Sequence, residues 1–386
     1  MAAMTRQRRP SAIILAAGRS RRMRRFKPLL TLGGQTVLER VISLYRSAGV
    51  ADIRVVTGFR SQSIRSTMTG FPVAEVHNAA HDTGMFASVL AGIDTFDSDV
   101  PSFFVHPVDI PLVRPHTLTM LMGALDRRPA PVAYPVFDDI RGHPPLIDGA
   151  LKDTILSHGG GGGLSALLRR FNATALDVQV ADEGVLLDMD TPDDFQRLET
   201  RLATSDMLTE DECRVLMEKV RKLPGPLIHH CHRVADVAAA LARAVNDRGG
   251  VLDVHLVQSA ARVHDVARVE KNHAAAGARL LKGMGFPAMA AVVASHMDIR
   301  LSPDSPVDEA QIVYLADKLV DGTTLVSLKQ RFDAKLKKHG HEPKISEIID
   351  QRRRAALSIQ DKVEHLSDQT IRQLLNQAGV IDRRQA

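Results

Sequence analysis

Residues 11–30, SAIILAAGRSRRMRRFKPLL, constrain the first half of the chain more than any other stretch. The apolar run Ile13-Ile14-Leu15-Ala16-Ala17 is short enough to be one buried strand. Gly18 ends it, and Arg19, Arg21, Arg22, Arg24, Arg25 and Lys27 follow. A strand that opens into a glycine turn leaves backbone N–H groups at the C-terminal edge of a sheet, where α/β proteins bind ligands. With guanidinium forks beside them, such groups suit a polyphosphate. GxGxxG and GxxxxGK(S/T) are both absent, so this is neither of the two common phosphate loops.

Patterning after Lys27 alternates between periods. Thr36–Ala48 is helical, with Val37, Leu38, Val41, Ile42 and Tyr45 on one face and Gly49 closing it. Strand patterns follow at 52–57, 73–77 and 102–106, with helical patterns at 61–68 and 85–95 between them. Alternation of this kind predicts an α/β fold with a doubly wound, mostly parallel sheet. A polar break at Thr204-Ser205-Asp206 precedes a capping box at Thr209 and Glu212, and from there strand patterns vanish. The second half is expected to be all-α, and 386 residues suit two domains. The limits read from the sequence are 11–203 and 204–345, with a C-terminal helical tail at 346–386 whose alternating charge predicts solvated helices.

Composition narrows the class. No apolar run approaches the ~18 residues of a membrane helix, and MAAMTRQRRP has no hydrophobic region behind it, so neither a span nor a signal peptide is expected. Cys213 and Cys231 form no CxxC pair, which fits a reducing cytoplasm. Net charge is +5, concentrated at 6–27 and 331–354, but aromatics are 4% and Trp is absent. Stacking platforms for nucleic acid are therefore poor, and phosphorylated small substrates explain the first basic cluster better.

Two aspartate stretches carry chemistry. HPVDIPLV puts Asp109 just beyond a strand's C-terminal end. LLDMDTPDDF puts Asp188 and Asp190 before a helix start, with Pro192 at its first position and acids in its first turn. Read alone, aspartates at such positions also serve as turn and cap residues.

The stretch LAAGRSRRM, followed by Lys27, resembles the LAAGxSxRMGxxK motif of nucleotidyltransferases that attach a nucleotide to molybdopterin or to sugar and alditol phosphates. Arg24 departs from it, standing where the family usually has glycine. The resemblance implies that Leu15, Ala16, Ala17, Gly18 and Arg22 hold the nucleotide, that Lys27 contacts phosphate, and that Asp109 and Asp190 hold Mg²⁺. Asn78 and Gly84-Met85-Phe86-Ala87-Ser88 resemble its Asn…GMxxS stretch, so Asn78, Gly84 and Ser88 are expected to line the nucleotide and acceptor region. Gly142-His143-Pro144 resembles its GHP turn on the acceptor side. Gly159–Gly163 stands where relatives have a GDxGAR turn, and lacking the acid and arginine it reads as a flexible linker. The guanylyl branch commonly has LAGG where this chain has LAAG, and an Ala17 methyl against the base would disfavour a purine. CTP and molybdopterin are thus the expected substrates, with a sugar- or alditol-phosphate acceptor as the alternative and a molybdoenzyme or its chaperone as a possible partner.

In the helical half, HHCHRVADVA begins a helix near His229, and His264-Asp265, His273, His296 and Asp317 follow on or at the ends of apolar helices. Imidazole with carboxylate selects Mn, Fe, Zn or Ni over Ca. The order resembles the HD-domain metal-dependent phosphohydrolases. Through the HSxRVA match it implies His230, rather than His229 or His232, as the first ligand. His264, Asp265, His273, His296 and Asp317 are the others, with Asp265 bridging two metals. Arg268 stands where the cyclic-dinucleotide branch has lysine, and no GYP motif follows. The implied enzyme is bifunctional, with a hydrolase site acting on a nucleotide or phosphoester. The rival is an HD domain that only senses a nucleotide.

Overall fold

The computed structural model describes residues 10–302 and 306–380. The basic residues Arg6, Arg8 and Arg9 lie outside them. The chain divides into two compact units, 1–205 and 206–386.

The first unit is built on an eight-stranded sheet. Its strands are β1 (Ser11–Leu15), β2 (Ile53–Thr57), β3 (Ala74–His77), β4 (Ser102–Pro107), β5 (Val132–Phe137), β6 (Ile140–Arg141), β7 (Leu146–Asp148) and β8 (Leu176–Gln179). The order is β8-β5-β7-β4-β1-β2-β3, with β6 on β5. Pairings β1–β2, β1–β4, β2–β3 and β8–β5 are parallel, and β7 is antiparallel to both β4 and β5. The unit thus has the mostly parallel α/β sheet that the alternating pattern predicts. The three-residue β7 was not legible, because so short a segment has no period of its own.

Helices α1 (Val37–Ser47), α2 (Ser61–Met68), α3 (Met85–Asp94), α4 (Pro115–Arg127), α5 (Gly163–Leu168) and α6 (Pro192–Ala203) accompany the sheet. α1 starts at a capping box between Thr36 and Glu39 and buries Val37, Leu38, Val41, Ile42 and Tyr45 completely. α3 lies so close to the sheet that a Cβ on Gly92 would come within 2.8 Å of the Ile13 side chain. The core it helps close contains Ile13, Val56, Val89, Ile93, Phe103 and Val105. Parallel β1 and β4 end at the same sheet edge, which brings the turn after Leu15 and the turn bearing Asp109 side by side. The Val108 N–H donates to the Leu15 carbonyl at 3.2 Å and ties them.

The second unit is helical apart from the hairpin Val320–Asp321/Thr324–Leu325. Its principal helices are α7 (Gly225–Asn246), α8 (Val254–Arg262), α9 (His273–Gly283), α10 (Pro287–Ser295), α11 (Glu309–Lys318), α12 (Leu328–His339), α13 (Pro343–Ser367) and α14 (Ile371–Gln377). α7 begins at Gly225, a turn earlier than the histidine run suggested, because Pro226 at its start pre-sets the helical φ. The expectation of solvated terminal helices is corrected on one face. α13 runs through residue 346 and buries Ile349, Ala356, Ile359 and Val363, and α14 buries Ile371, Leu374 and Leu375. Among the described residues no helix is long and apolar enough to cross a membrane.

Candidate functional site

In the first unit, three distant segments meet at one ammonium. Lys27 opens a short 3₁₀ turn, with its N–H on the Ser20 hydroxyl at 3.1 Å. Its Nζ donates to Asp109 Oδ2 and to Asp190 Oδ1, both at 2.8 Å. Arg22 reaches Asp190 Oδ2 at 2.7 Å. Asp109 comes from the turn after β4, and Asp190 precedes α6, whose capping box joins Thr191 and Asp194. Burial, together with Asp190 and Asp109, pushes the Asp188 carboxyl above its usual range, so Asp188 faces the same cluster. His143 lies within electrostatic reach of Asp109 and Asp188, although burial lowers its pKa. The GHP turn therefore stands against the carboxylates. An all-oxygen donor set of this kind fits Mg²⁺.

The first-motif backbone is partly committed. Ala16 N–H donates to Val56 at 2.9 Å, and the Ala17 carbonyl accepts from Phe59. Gly18 is exposed at the open edge. Ala17 is 3% exposed and packs with Leu15 and Val56, so its methyl forms part of the wall behind the first motif. A Cβ on Gly58 would stand 3.0 Å from that methyl and 2.5 Å from His81, so the wall is tight. Asn78 and Ser88 are brought together: Asn78 Nδ2 donates to Ser88 Oγ at 3.0 Å, pinning the 78–84 loop to α3. Gly84 caps α3 at φ +123°, where a side chain would be strained. Arg19 and Asp82 join the 78–84 loop to the first-motif loop through bonds of 2.7 and 2.6 Å. Arg24 adopts φ +55°, the left-handed conformation that explains why glycine suits this position in similar sequences.

Beside Leu15 and Pro107 lies a cavity of about 480 Å³, walled in part by Phe86, Tyr134, His143, Gly163 and Arg169. The glycine run thus forms a turn on the cavity wall. Gly160, Gly162 and Gly163 have φ of +83°, +75° and +68°, and Gly162 caps α5. Glycine serves left-handed turns and flexible joints alike, so composition could not separate the two.

His106 was not singled out from sequence, yet it holds the Asp109 turn. Fully buried, it has Nε2 2.9 Å from the Ile110 carbonyl and Nδ1 3.0 Å from the Tyr45 hydroxyl. These contacts assign Nε2 as donor to Ile110 and Nδ1 as acceptor from Tyr45. Burial pushes its pKa down to about 4. An unfolded chain takes up a proton near the ordinary value of about 6.5, so stability is present above that pH and lost as pH falls toward 4. The full loss is ~3 kcal/mol. Amide exchange at Phe103–Val105 should therefore quicken steeply between pH 6.5 and 4, after correction for intrinsic rates, and His106→Gln should flatten that dependence. An unchanged dependence in the variant would refute this account.

In the second unit, six side chains converge. His230 Nδ1 faces the Gly322 carbonyl at 2.8 Å, His264 Nδ1 faces Ala261 at 2.8 Å, and His296 Nδ1 faces Val293 at 2.7 Å. Each backbone carbonyl fixes one ring nitrogen as donor and leaves Nε2 with its lone pair inward, the usual support for a metal-binding histidine. His264 Nε2 is buried with no hydrogen-bond partner, 3.7 Å from Asp265 and 3.6 Å from Asp317. Asp265 Oδ1 lies 3.2 Å from His273 Nε2 and 3.4 Å from His296 Nε2. Two groups could each hold an ion, His230–His264–Asp265 and Asp265–His273–His296, and Asp265 belongs to both. Burial opposes the charge of Asp265, but His273 and His296 outweigh it and hold the carboxyl far below its usual range. Asp317 Oδ1 sits 3.2 Å from His230 Nε2. The donor set and the orphaned nitrogen fit divalent transition metals. His229 is exposed, and His232 belongs to neither group.

Sequence reasoning missed Lys318. It is 2% exposed, and its Nζ donates to Asp317 Oδ2 at 2.7 Å and to the His296 carbonyl at 2.6 Å. It holds one oxygen of Asp317 and leaves the other toward the histidines. Arg268 spans Asp265 at 3.4 Å and His273 at 3.1 Å, at the open side of the cluster.

Known proteins share both halves. A family model for the MobA-like NTP transferase domain matches residues 12–177, and one for the HD domain matches 227–321. A molybdenum cofactor guanylyltransferase of Xanthomonas euvesicatoria pv. vesicatoria is 29% identical over 199 residues, covering 50% of this chain and 97% of that protein. The bifunctional protein GlmU of Ralstonia nicotianae is 32% identical over 133 residues, 34% of this chain and 29% of that one. Rv0371c from Mycobacterium tuberculosis H37Rv, a solved structure, aligns over 50% of this chain and 98% of its own at 24% identity, with a TM-score of 0.45. The chain thus carries a MobA-like NTP transferase domain in its N-terminal half and an HD domain after it.

Proposed function

We propose that residues 11–203 transfer a nucleotide from an NTP to molybdopterin and that 204–345 hydrolyse a nucleotide or phosphoester. The observation that carries the first activity is Lys27 joining Asp109 and Asp190, which belong to the ends of separate elements. An oxygen of the acceptor attacks the α-phosphorus, the bond to the β-phosphate oxygen breaks, and pyrophosphate leaves. Asp109 and Asp190 would hold Mg²⁺, which neutralises phosphate charge when bound. Arg22 and Lys27 meet the triphosphate oxygens, and the loop after β1 offers backbone N–H groups. No protein nucleophile is needed. The cavity beside Leu15 and His143 is the acceptor's place, with an apolar wall for a flat ring system and Arg169 at its rim.

CTP is the nucleotide we favour, on the alanine in LAAG and the tight wall that Ala17 forms with Gly58 and His81. A pocket difference of one methyl is worth about 10- to 200-fold. Competition turnover with molybdopterin and equal CTP and GTP tests it. CTP should be consumed at least ~10-fold faster. Equal use, or a preference for GTP, which the name of the Xanthomonas relative would suggest, overturns the choice.

The hydrolase reading rests on the inward Nε2 atoms of His230, His264 and His296. Mn, Fe, Zn or Ni at this cluster would supply Lewis acidity for attack of water on phosphorus. Phosphate release from a nucleotide panel with Mn²⁺, by full-length protein carrying Asp109→Ala to silence the transferase, should be lost in Asp265→Ala. Metal bound without any release would make the HD domain a sensor.

A further inference from the structure

The cationic groups beside the HD cluster are almost all spoken for. Lys318 is paired with Asp317, Arg331 with Asp321, and Arg352 with Asp298 through two bonds of 2.7 and 2.8 Å. Lys335, one helical turn beyond Arg331 on α12, is the exception. Among the described residues it makes no ion pair and donates no hydrogen bond; its ammonium lies 6.0 Å from the Phe332 ring. The buried Nε of Arg331 also lacks a partner. α12 is anchored next to the cluster by the hairpin that supports it. Arg331 grips Asp321, and the adjoining Gly322 carbonyl faces His230 Nδ1.

Two divalent ions held by four neutral imidazoles and two carboxylates would leave a positive surplus, so this region favours an anion. A half-buried ammonium without a counter-ion adds to it. Burial and the neighbouring Arg331 and Lys318 push Lys335 down to about 8, while Asp317 pulls the other way. Lys335 bonds to none of the six clustered side chains. A phosphoryl group on the cluster would have its charge met there, which leaves Lys335 for a second phosphate.

We propose that Lys335 forms a phosphate subsite beside the HD cluster, so that this site takes substrates bearing two or more phosphates rather than a lone phosphomonoester. This rests on the hydrolase reading for the class of ligand but not for the contact itself. α12 lies beyond residues 227–321, the matched HD region.

Amine acylation at pH 8, read lysine by lysine by mass spectrometry, tests the contact without turnover. The full chain carrying Lys27→Ala is used, so that the transferase site does not compete, with inorganic tripolyphosphate as probe and Mn²⁺ in excess over it. Lys335 should be labelled in free protein and protected about 10-fold by tripolyphosphate. Lys335→Met should weaken tripolyphosphate binding in calorimetry about 10-fold with metal content unchanged, and Lys335→Arg should restore it. Equal labelling with and without the probe, or wild-type binding by Lys335→Met, overturns the proposal. Protection without any nucleotide hydrolysis upholds the subsite and fails the hydrolase reading. Hydrolysis without protection does the reverse.

Discussion

Asp109→Ala is expected to lower nucleotidyl transfer about 10³-fold, with little change in fold or thermal midpoint. The carboxylate accepts from Lys27 at 2.8 Å and faces the same cluster as Asp190 and Asp188. Its removal takes away one of the few oxygens positioned for Mg²⁺, and this ion usually keeps only one or two protein carboxylates. The groups we assign to the nucleotide stay in place, because the loop after β1 and Arg22 do not depend on Asp109. The loss should therefore fall on kcat and leave KM for the nucleotide within a few-fold. Stability should change by about 1 kcal/mol or less, since Lys27 retains Asp190 at 2.8 Å and the Asp109 side chain is itself partly exposed. Asp109→Asn, which keeps shape and loses charge, should be nearly as inactive. Pyrophosphate release and scanning calorimetry on the same preparations check both halves of the expectation. Turnover within threefold of wild type would remove Asp109 from the site.

What the sequence made legible was local. The apolar run Ile13–Ala17, the capping box at Thr209 and Glu212 and the alternation of periods each lie within a short window, and each marks an element at or within two residues of the expected place. Asp109 and Asp190 could be placed at element ends in the same way. Their meeting could not, because it depends on Lys27 crossing 82 and 163 residues of chain. Only the resemblance joined them. The antiparallel β7 between β4 and β5 escaped notice for the same reason, since pairing and not periodicity makes a three-residue strand. Lys318 was passed over because a lysine next to an aspartate on a helix reads as solvated surface. Its burial follows from a carboxylate and a carbonyl supplied by two different helices. His106 hid in the apolar strand Ser102–Pro107, where a histidine fully satisfied by Tyr45 and Ile110 leaves no mark in the pattern. The buried face of α13 was obscured by charge, because its apolar residues are spread thinly over 25 residues.

The geometry of the HD cluster predicts different metal stoichiometries for different ligands, which is a sharper test than loss of metal alone. His230 and His264 belong to one group, His273 and His296 to the other, and Asp265 to both. Asp265→Ala should therefore release both ions, whereas His273→Ala should keep the ion on the His230 side. His264→Ala should lose the ion on its side, although this ring is fully buried and its removal also leaves a cavity. His230→Ala removes a ligand from the same group at a partly exposed position, and so separates metal loss from misfolding. His232→Ala should retain full metal, since His232 is in neither group. Lys318→Met should keep the ligands but lose the hold on Asp317 Oδ2, lowering affinity about 10- to 100-fold without abolishing binding. Elemental analysis of purified full-length variants, with circular dichroism to confirm the helical unit, gives the stoichiometries directly. Equal metal content in wild type and Asp265→Ala would mean that the histidines serve packing and that the shared carboxylate bridges nothing.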